Sequence, residues 1–273
     1  MLDIKRLKEI QTDLDKKAKE EFYENLNEEV IQFLQSKFFK DHFLAKTRKQ
    51  TQQSARVLNN WENEGLIDRI NPNEGKTRKF SKGQSIWLDL VSQLREFGFP
   101  LEKIKNLRKG LFISPVKKFS PFEYALMHSI VQEAIILIIK DDATFSLIPE
   151  SLYIEYLKKT ILPPHLHFNL LNLSESEFPN NNFNMEIAVS IKSNLTEQEL
   201  ELIYFLRTGD FESIKIRLKD GLIYLLEGTK KLSNQARIVD ILKNADYQNI
   251  EIITEQGRVV NIASTIKKKI IKQ

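Results

Sequence analysis

The sequence predicts an α+β protein in four parts: an N-terminal helical piece, a winged helix-turn-helix, a small α/β unit and a duplicated helix–hairpin tail. Three observations carry that expectation. Apolar residues recur at helical spacing through the first part of the chain, short alternating apolar runs bounded by turn residues begin near Glu133, and a residue pattern repeats at an interval of 36 near the end. With 273 residues, 41% of them hydrophobic, and only 9 Gly and 8 Pro, the chain holds material for packed cores and little for disorder.

Residues 1–36 read as two helices. Leu7, Ile10, Leu14 and Ala18 form an apolar stripe in the first; Asn27 is an N-cap for the second, which buries Val30, Ile31, Leu34 and Phe38. Two roles are open to them: padding the domain that follows, or pairing with another chain. Residues 37–114 form a basic unit that ends where Pro115 disfavours helix continuation at Ser114. In residues 119–194, Phe122 to Ile130 suits a helix, and Glu133 to Ile139, Asp141-Asp142 and Thr144 to Ile148 suit strand, turn, strand. Ser151 to Ile161 is helical in period, Pro163-Pro164 leads into a strand from His165 to Leu173, and Asn180-Asn181-Asn182 is a loop.

Residues 195–273 divide into copies at 195–232 and 233–273. Asp210-Phe211 matches Asp246-Tyr247, Ile214 matches Ile250, Ile216 matches Ile252, and Gly221 matches Gly257. Ile223, Leu226 and Thr229 match Val259, Ile262 and Thr265, while Ile203 and Leu206 match Val239 and Leu242. Each copy reads as helix, strand, turn, strand. Alternation of Ile214, Ile216 and Leu218, and of Ile250 and Ile252, is expected to put one face of each hairpin in a core. Lys219-Asp220-Gly221 and Glu255-Gln256-Gly257 are the turns. A lone hairpin is marginal, so the copies are expected to share a core.

Composition excludes several classes of function. The chain has no Cys, which removes disulfides, thiolate metal sites and cysteine nucleophiles. The first residues are charged throughout and contain no signal peptide, and the longest apolar run, Ala134 to Ile139, is far too short for a bilayer span. A cytoplasmic protein without membrane association is expected. The net charge of +4 is unevenly held: residues 37–112 carry 16 Lys and Arg against 8 Asp and Glu, so the rest of the chain is net acidic. A polyanion docking on one face would produce that distribution.

The basic segment also has the pattern of a reading head. Thr51-Gln52-Gln53-Ser54 offers N-cap chemistry, Ala55, Val57, Leu58 and Trp61 make a buried stripe, and Gly65 sits where a helix ends in a left-handed residue. Opposite the stripe lie Gln52, Gln53, Arg56, Asn59 and Asn60, side chains that hydrogen-bond base edges or grip phosphates. Leu66 to Ile70 and Arg78 to Phe80 then flank Asn71-Pro72-Asn73-Glu74-Gly75-Lys76-Thr77, a hairpin with a polar, Gly-containing tip, as in a wing. The returning arm, Lys76-Thr77-Arg78-Lys79, carries three cations where a wing meets a phosphate backbone. Ser81 with Gln84 makes a capping box for a helix burying Ile86, Trp87, Leu90, Val91 and Leu94. That helix stops at Phe97-Gly98, and a short helix from Leu101 to Leu107 closes the unit.

Three ordered motifs, Trp61-Glu62-Asn63-Glu64-Gly65-Leu66-Ile67, Arg78-Lys79-Phe80-Ser81 and Leu94-Arg95-Glu96-Phe97-Gly98-Phe99-Pro100-Leu101-Glu102-Lys103-Ile104, resemble the MerR family of bacterial transcription regulators. The resemblance implies a recognition helix carrying Arg56 and Asn59, a wing carrying Arg78 and Lys79, and double-stranded DNA as partner. His42 to Gln50 lacks the family's Gly-Val turn, and Ser114-Pro115 arrives too soon for its long dimerisation helix, so a homodimer stays open. Each tail copy is similar to a small bacterial helix-plus-hairpin family ending in Thr-x-Lys, here Thr229-Lys230-Lys231 and Thr265-Ile266-Lys267; that likeness implies fold but no activity.

The expected candidate contacts to duplex DNA are therefore Gln52, Gln53, Ser54, Arg56, Asn59, Asn60, Lys76, Thr77, Arg78 and Lys79. His165 and His167 are a weak metal pair without a third ligand, Asp141-Asp142 is a turn, and Arg95 is better placed to cap a helix or pair with Glu96 or Glu102 than to touch DNA. No phosphate-binding glycine loop, Gly-x-Ser-x-Gly elbow or His-Glu-x-x-His is present, so neither an enzyme nor a cofactor or metal is expected. Two other readings stand beside transcriptional regulation: a protein-interaction or architectural scaffold, and a repressor sensing an unnamed small molecule through residues 119–194.

Overall fold

A computed structural model describes residues 4–20, 22, 26, 28–47, 53–68, 78–113, 119–159, 162, 164–179, 181–183, 195–209, 211–219, 222–232, 248–255 and 258–269. The expected N-cap Asn27, the tip at 71–75, Ser114-Pro115, the turns at 220–221 and 256–257 and the helix expected in the second tail copy lie outside them. The chain divides into two compact units, Met1–Glu177 with Ala188–Glu197, and Phe178–Ile187 with Gln198–Gln273. Among the described residues no helix is long and apolar enough to cross a membrane.

In the first unit, α1 (Ile4–Lys19) and α2 (Glu28–Gln35) are followed by a short helix, α3 (Lys37–Phe39), that runs on as a π-helical turn through Leu44. Ser36 caps α3, its hydroxyl accepting from the Phe39 amide at 3.1 Å. Then come α4 (Ala55–Asn63), α5 (Lys82–Glu96), α6 (Leu101–Arg108) and α7 (Pro121–Val131). Ser81 and Gln84 cap each other at the start of α5, as their spacing predicts, and Ser120 with Glu123 does the same for α7.

The strands β1 (Ile135–Ile139), β2 (Phe145–Pro149) and β3 (Leu166–Asn169) form an antiparallel sheet in the order β2-β1-β3. The helix α8 (Glu150–Lys159) joins β2 to β3. Every residue of β1 is buried, which is why this strand reads as an unbroken apolar run rather than an alternating one. The strand expected from His165 to Leu173 stops at Asn169. There the Asn169 carboxamide accepts from the amides of Leu171 at 2.9 Å and Asn172 at 3.3 Å, starting α9 (Leu170–Ser174). An N-cap inside an apolar run turns strand into helix.

The first helix pads the sheet rather than the domain next to it in sequence. Leu14 joins Ile136, Ile138, Ile148, Tyr153 and Tyr156 in one apolar cluster. Around it, Asp15 pairs with Lys140 and accepts from the Ser146 hydroxyl at 2.7 Å, while Asp13 accepts from the Tyr156 hydroxyl at 2.6 Å. At the end of α7 the His128 ring lies with Nδ1 3.0 Å from the Glu133 carbonyl, and burial holds its pKa below the ordinary 6.5.

The second unit is built on α10 (Glu197–Thr208), which buries Leu200, Ile203, Tyr204 and Phe205; the Phe178 ring meets Tyr204 edge-on at 6.1 Å. Its sheet has the order β4-β5-β7-β6, with β4 at Ser213–Lys219, β5 at Leu222–Leu232, β6 at Gln248–Glu255 and β7 at Arg258–Lys269. The register of β6 on β7 is that of β4 on β5 with 36 added to every number: Ser213 faces Thr229 as Asn249 faces Thr265, and the irregularity at Arg217/Leu218 recurs at Ile253/Thr254. The central strands meet at Thr229 opposite Thr265, with hydroxyl oxygens 3.1 Å apart. The expected burial of the β4 apolar row is not found. Ile216 and Leu218 are 41% and 62% exposed, because β4 is an outer strand, and Leu226 of β5 supplies the core instead.

Two outcomes are expected. Leu14→Ala should lower unfolding free energy in urea by about 2–5 kcal/mol without altering the elution volume of the folded protein; a changed oligomeric state would instead favour α1 as a pairing helix. For His128, the folded ring resists protonation, so below about pH 6.5 the unfolded chain binds the extra proton and stability falls. The wild-type urea midpoint should therefore drop more between pH 8 and pH 5.5 than that of His128→Gln, and equal drops would contradict the burial argument.

Candidate nucleic-acid interface

The exposed helix α4 is set up by its first and last turns. Ser54 is extended and its hydroxyl accepts from the Val57 amide at 3.4 Å, so this side chain starts the helix. Leu58 and Trp61 are buried. Helical geometry then sends Arg56, Asn59, Asn60 and Asn63 to the opposite side, and all four are exposed. Asn63 was not among the expected contacts, yet it continues the same row one turn beyond Asn59 and Asn60; following the spacing past Asn60 would have found it.

The helix ends in a Schellman turn. Gly65 has φ +75°, its amide donates to Glu62 at 3.1 Å, and the Leu66 amide donates to Trp61 at 2.8 Å. Neighbouring helices then fix this exit. The Trp87 indole of α5 donates to the Leu66 carbonyl at 2.7 Å. Arg108 of α6 donates to the Gly65 carbonyl at 3.3 Å, pairs with Asp68 and lies over the Phe112 ring. Sequence reasoning missed Arg108, whose only local signal is a cation in the last turn of a helix. The Phe97-Gly98 turn repeats the device, with φ +79° and the Phe99 amide bonded to Leu94 at 2.8 Å. Arg95 donates to the Phe99 carbonyl at 2.5 Å, so it fastens its own turn.

The returning arm behaves differently from a free basic strand. Phe80 exchanges both backbone hydrogen bonds with Thr47, at 2.8 and 2.9 Å, so its partner is the segment before α4. Arg78 turns back onto α4: Nη2 donates to Asn59 Oδ1 at 2.6 Å and to Glu62 Oε2 at 2.7 Å. The Arg78 and Glu62 side chains are only 16% and 17% exposed, and among the described residues the buried Arg78 Nε meets no hydrogen-bond partner. Lys79, beside it, is exposed.

The expected contacts thus separate. Arg56, Asn59 and Asn60 share the open side of α4, and Lys79 is open on the arm. Ser54 caps the helix, Gln53 Nε2 lies 3.3 Å from the Ser92 hydroxyl of α5, and Arg78 is folded inward. Gln52, Lys76 and Thr77 lie outside the described residues. A pocket of about 530 Å³ is walled by residues including Ile67, Asp68, Phe80, Trp87, Arg108 and Phe119. His165 Nε2 is 3.0 Å from the Tyr153 hydroxyl, and among the described residues no group of three or more His, Cys, Asp or Glu is arranged to hold a metal ion.

Residues 45–111, and with them α4, α5 and α6, match the family model described as MerR HTH family regulatory protein. No curated protein and no solved structure matches the chain.

The Schellman turn generates a direct expectation. At φ +75°, Gly65→Ala places a Cβ in the left-handed region and should cost about 1–2 kcal/mol in urea unfolding. An unchanged midpoint would mean that α4 does not depend on this turn.

Proposed function

We propose that this chain, which carries a MerR-family helix-turn-helix domain over residues 45–111, is a transcription regulator that reads duplex DNA sequence with α4 in the major groove. The observation that carries the reading is the row Arg56, Asn59, Asn60 and Asn63, exposed on a helix whose other side is sealed by Leu58 and Trp61. Three of these side chains are amides and one is a guanidinium, the groups whose donor and acceptor geometry suits base edges. Lys79 supports the role of the arm, because an exposed cation next to the helix meets phosphate without sequence preference. The concentration of basic residues in 37–112 supplies the wider attraction.

Selection from a random duplex pool tests the reading. The protein should enrich one sequence, and two half-sites in it would report a dimer. Lys79→Ala should weaken binding to all duplexes alike and reduce the salt slope by about 1, whereas Arg56→Ala should cost about 1–3 kcal/mol on the selected sequence and relax preference at one position. If the pool enriches nothing, the domain is a protein-contact module and the DNA reading fails.

A further inference from the structure

The bond between Arg78 and Asn59 has a consequence for which base is read, and it rests on the proposal that α4 reads DNA. Asparagine is the usual partner of adenine because its oxygen accepts from N6 while its nitrogen donates to N7. Arginine has only donors to offer, so the Asn59 amide has to present its oxygen to Arg78, and the 2.6 Å bond holds it there. That orients the amide plane and leaves the two N–H bonds of Nδ2 as its recognition groups, with no partner among the described residues. Glu62 completes the fixture. Its carboxylate, 2.7 Å from the same nitrogen, neutralises the Arg78 charge and holds the guanidinium against the helix.

We infer that Arg78 is a positioning residue that biases Asn59 toward presenting its N–H donors, and that Asn59 therefore reads guanine in preference to adenine. Guanine shows two acceptors, N7 and O6, in the major groove, which match two donors. Adenine shows one acceptor and one donor, and Arg78 already takes one of the two lone pairs of the Asn59 oxygen, the acceptor which that donor would need. Arg78 in this role contributes no phosphate contact, although it stands in the basic arm beside Lys79, which does.

The test uses the full chain and the same random pool. Asn59→Ala first identifies the base position whose preference depends on Asn59. Wild-type protein should select guanine there. Arg78→Ala frees the oxygen and should move that position toward adenine, changing the guanine-to-adenine ratio by about tenfold or more, with an unaltered salt slope. Glu62→Gln keeps the amide bond but leaves the Arg78 charge uncompensated. Because Arg78 meets no phosphate, this variant should retain guanine and leave the slope unaltered, which provides a second reading should Arg78→Ala not fold. Adenine selected by the wild type overturns the inference. So does an Arg78→Ala protein that keeps guanine and loses about one unit of slope, since Arg78 would then be an ordinary phosphate contact. A slope that steepens by about 1 in Glu62→Gln counts against it equally, since Arg78 would then reach a phosphate. A wild-type protein that enriches no sequence is a distinct failure, that of the parent reading.

Discussion

A helix of nine residues does not hold its shape in water, and α4 has nine. Everything proposed for this chain depends on how the protein supplies the missing stability. Ser54 satisfies the first turn, Leu58 and Trp61 are pressed into the core, and Gly65 returns the chain through a left-handed residue. Trp87 and Arg108 then seize the carbonyls of Leu66 and Gly65 from two further helices. Because each anchor lies on the inner side or at an end, the outer row is left for a ligand. The scaffold is over-determined so that four side chains can remain unburied.

Much of this was legible in the sequence, for identifiable reasons. Caps and left-handed turns are local: Ser81 with Gln84, and Gly65 after Glu62-Asn63-Glu64, follow from spacing over a few residues. The burial of Trp61 and the exposure of Arg56 follow from helical period alone. What spacing cannot supply is the destination of a long side chain. Arg78 was grouped with the phosphate-facing cations because it stands between Thr77 and Lys79, and its partners, Asn59 and Glu62, lie 19 and 16 residues earlier. The same limit hid Arg108, and left α1 without a partner until Asp13, Leu14 and Asp15 met residues more than a hundred positions away. At Asn169 two local signals conflicted, an apolar run and a cap, and the cap prevailed.

The basic segment shows how charge counting and charge geometry differ. The excess of cations in residues 37–112 is real, yet Arg78, Arg95 and Arg108 each bond to the protein's own carboxylates or carbonyls. A field built from such residues still attracts a polyanion at long range, while the exposed Arg56 and Lys79 are left for the short-range contacts proposed above. On that proposal, steering and reading belong to different cations within one small domain.

The doubled register of the C-terminal sheet carries its own implication for solubility. Among the described residues β4 and β6 are its outer strands, the positions at which a sheet is exposed to backbone pairing by a stray strand. Both edges also carry the same break in pairing, at Arg217/Leu218 and Ile253/Thr254, and β4 sets Lys215, Arg217 and Lys219 among its apolar residues. A bulge and a run of like charges are devices that discourage edge-to-edge growth. Duplication here copied the break together with the strand, so each of the two outer strands carries its own safeguard.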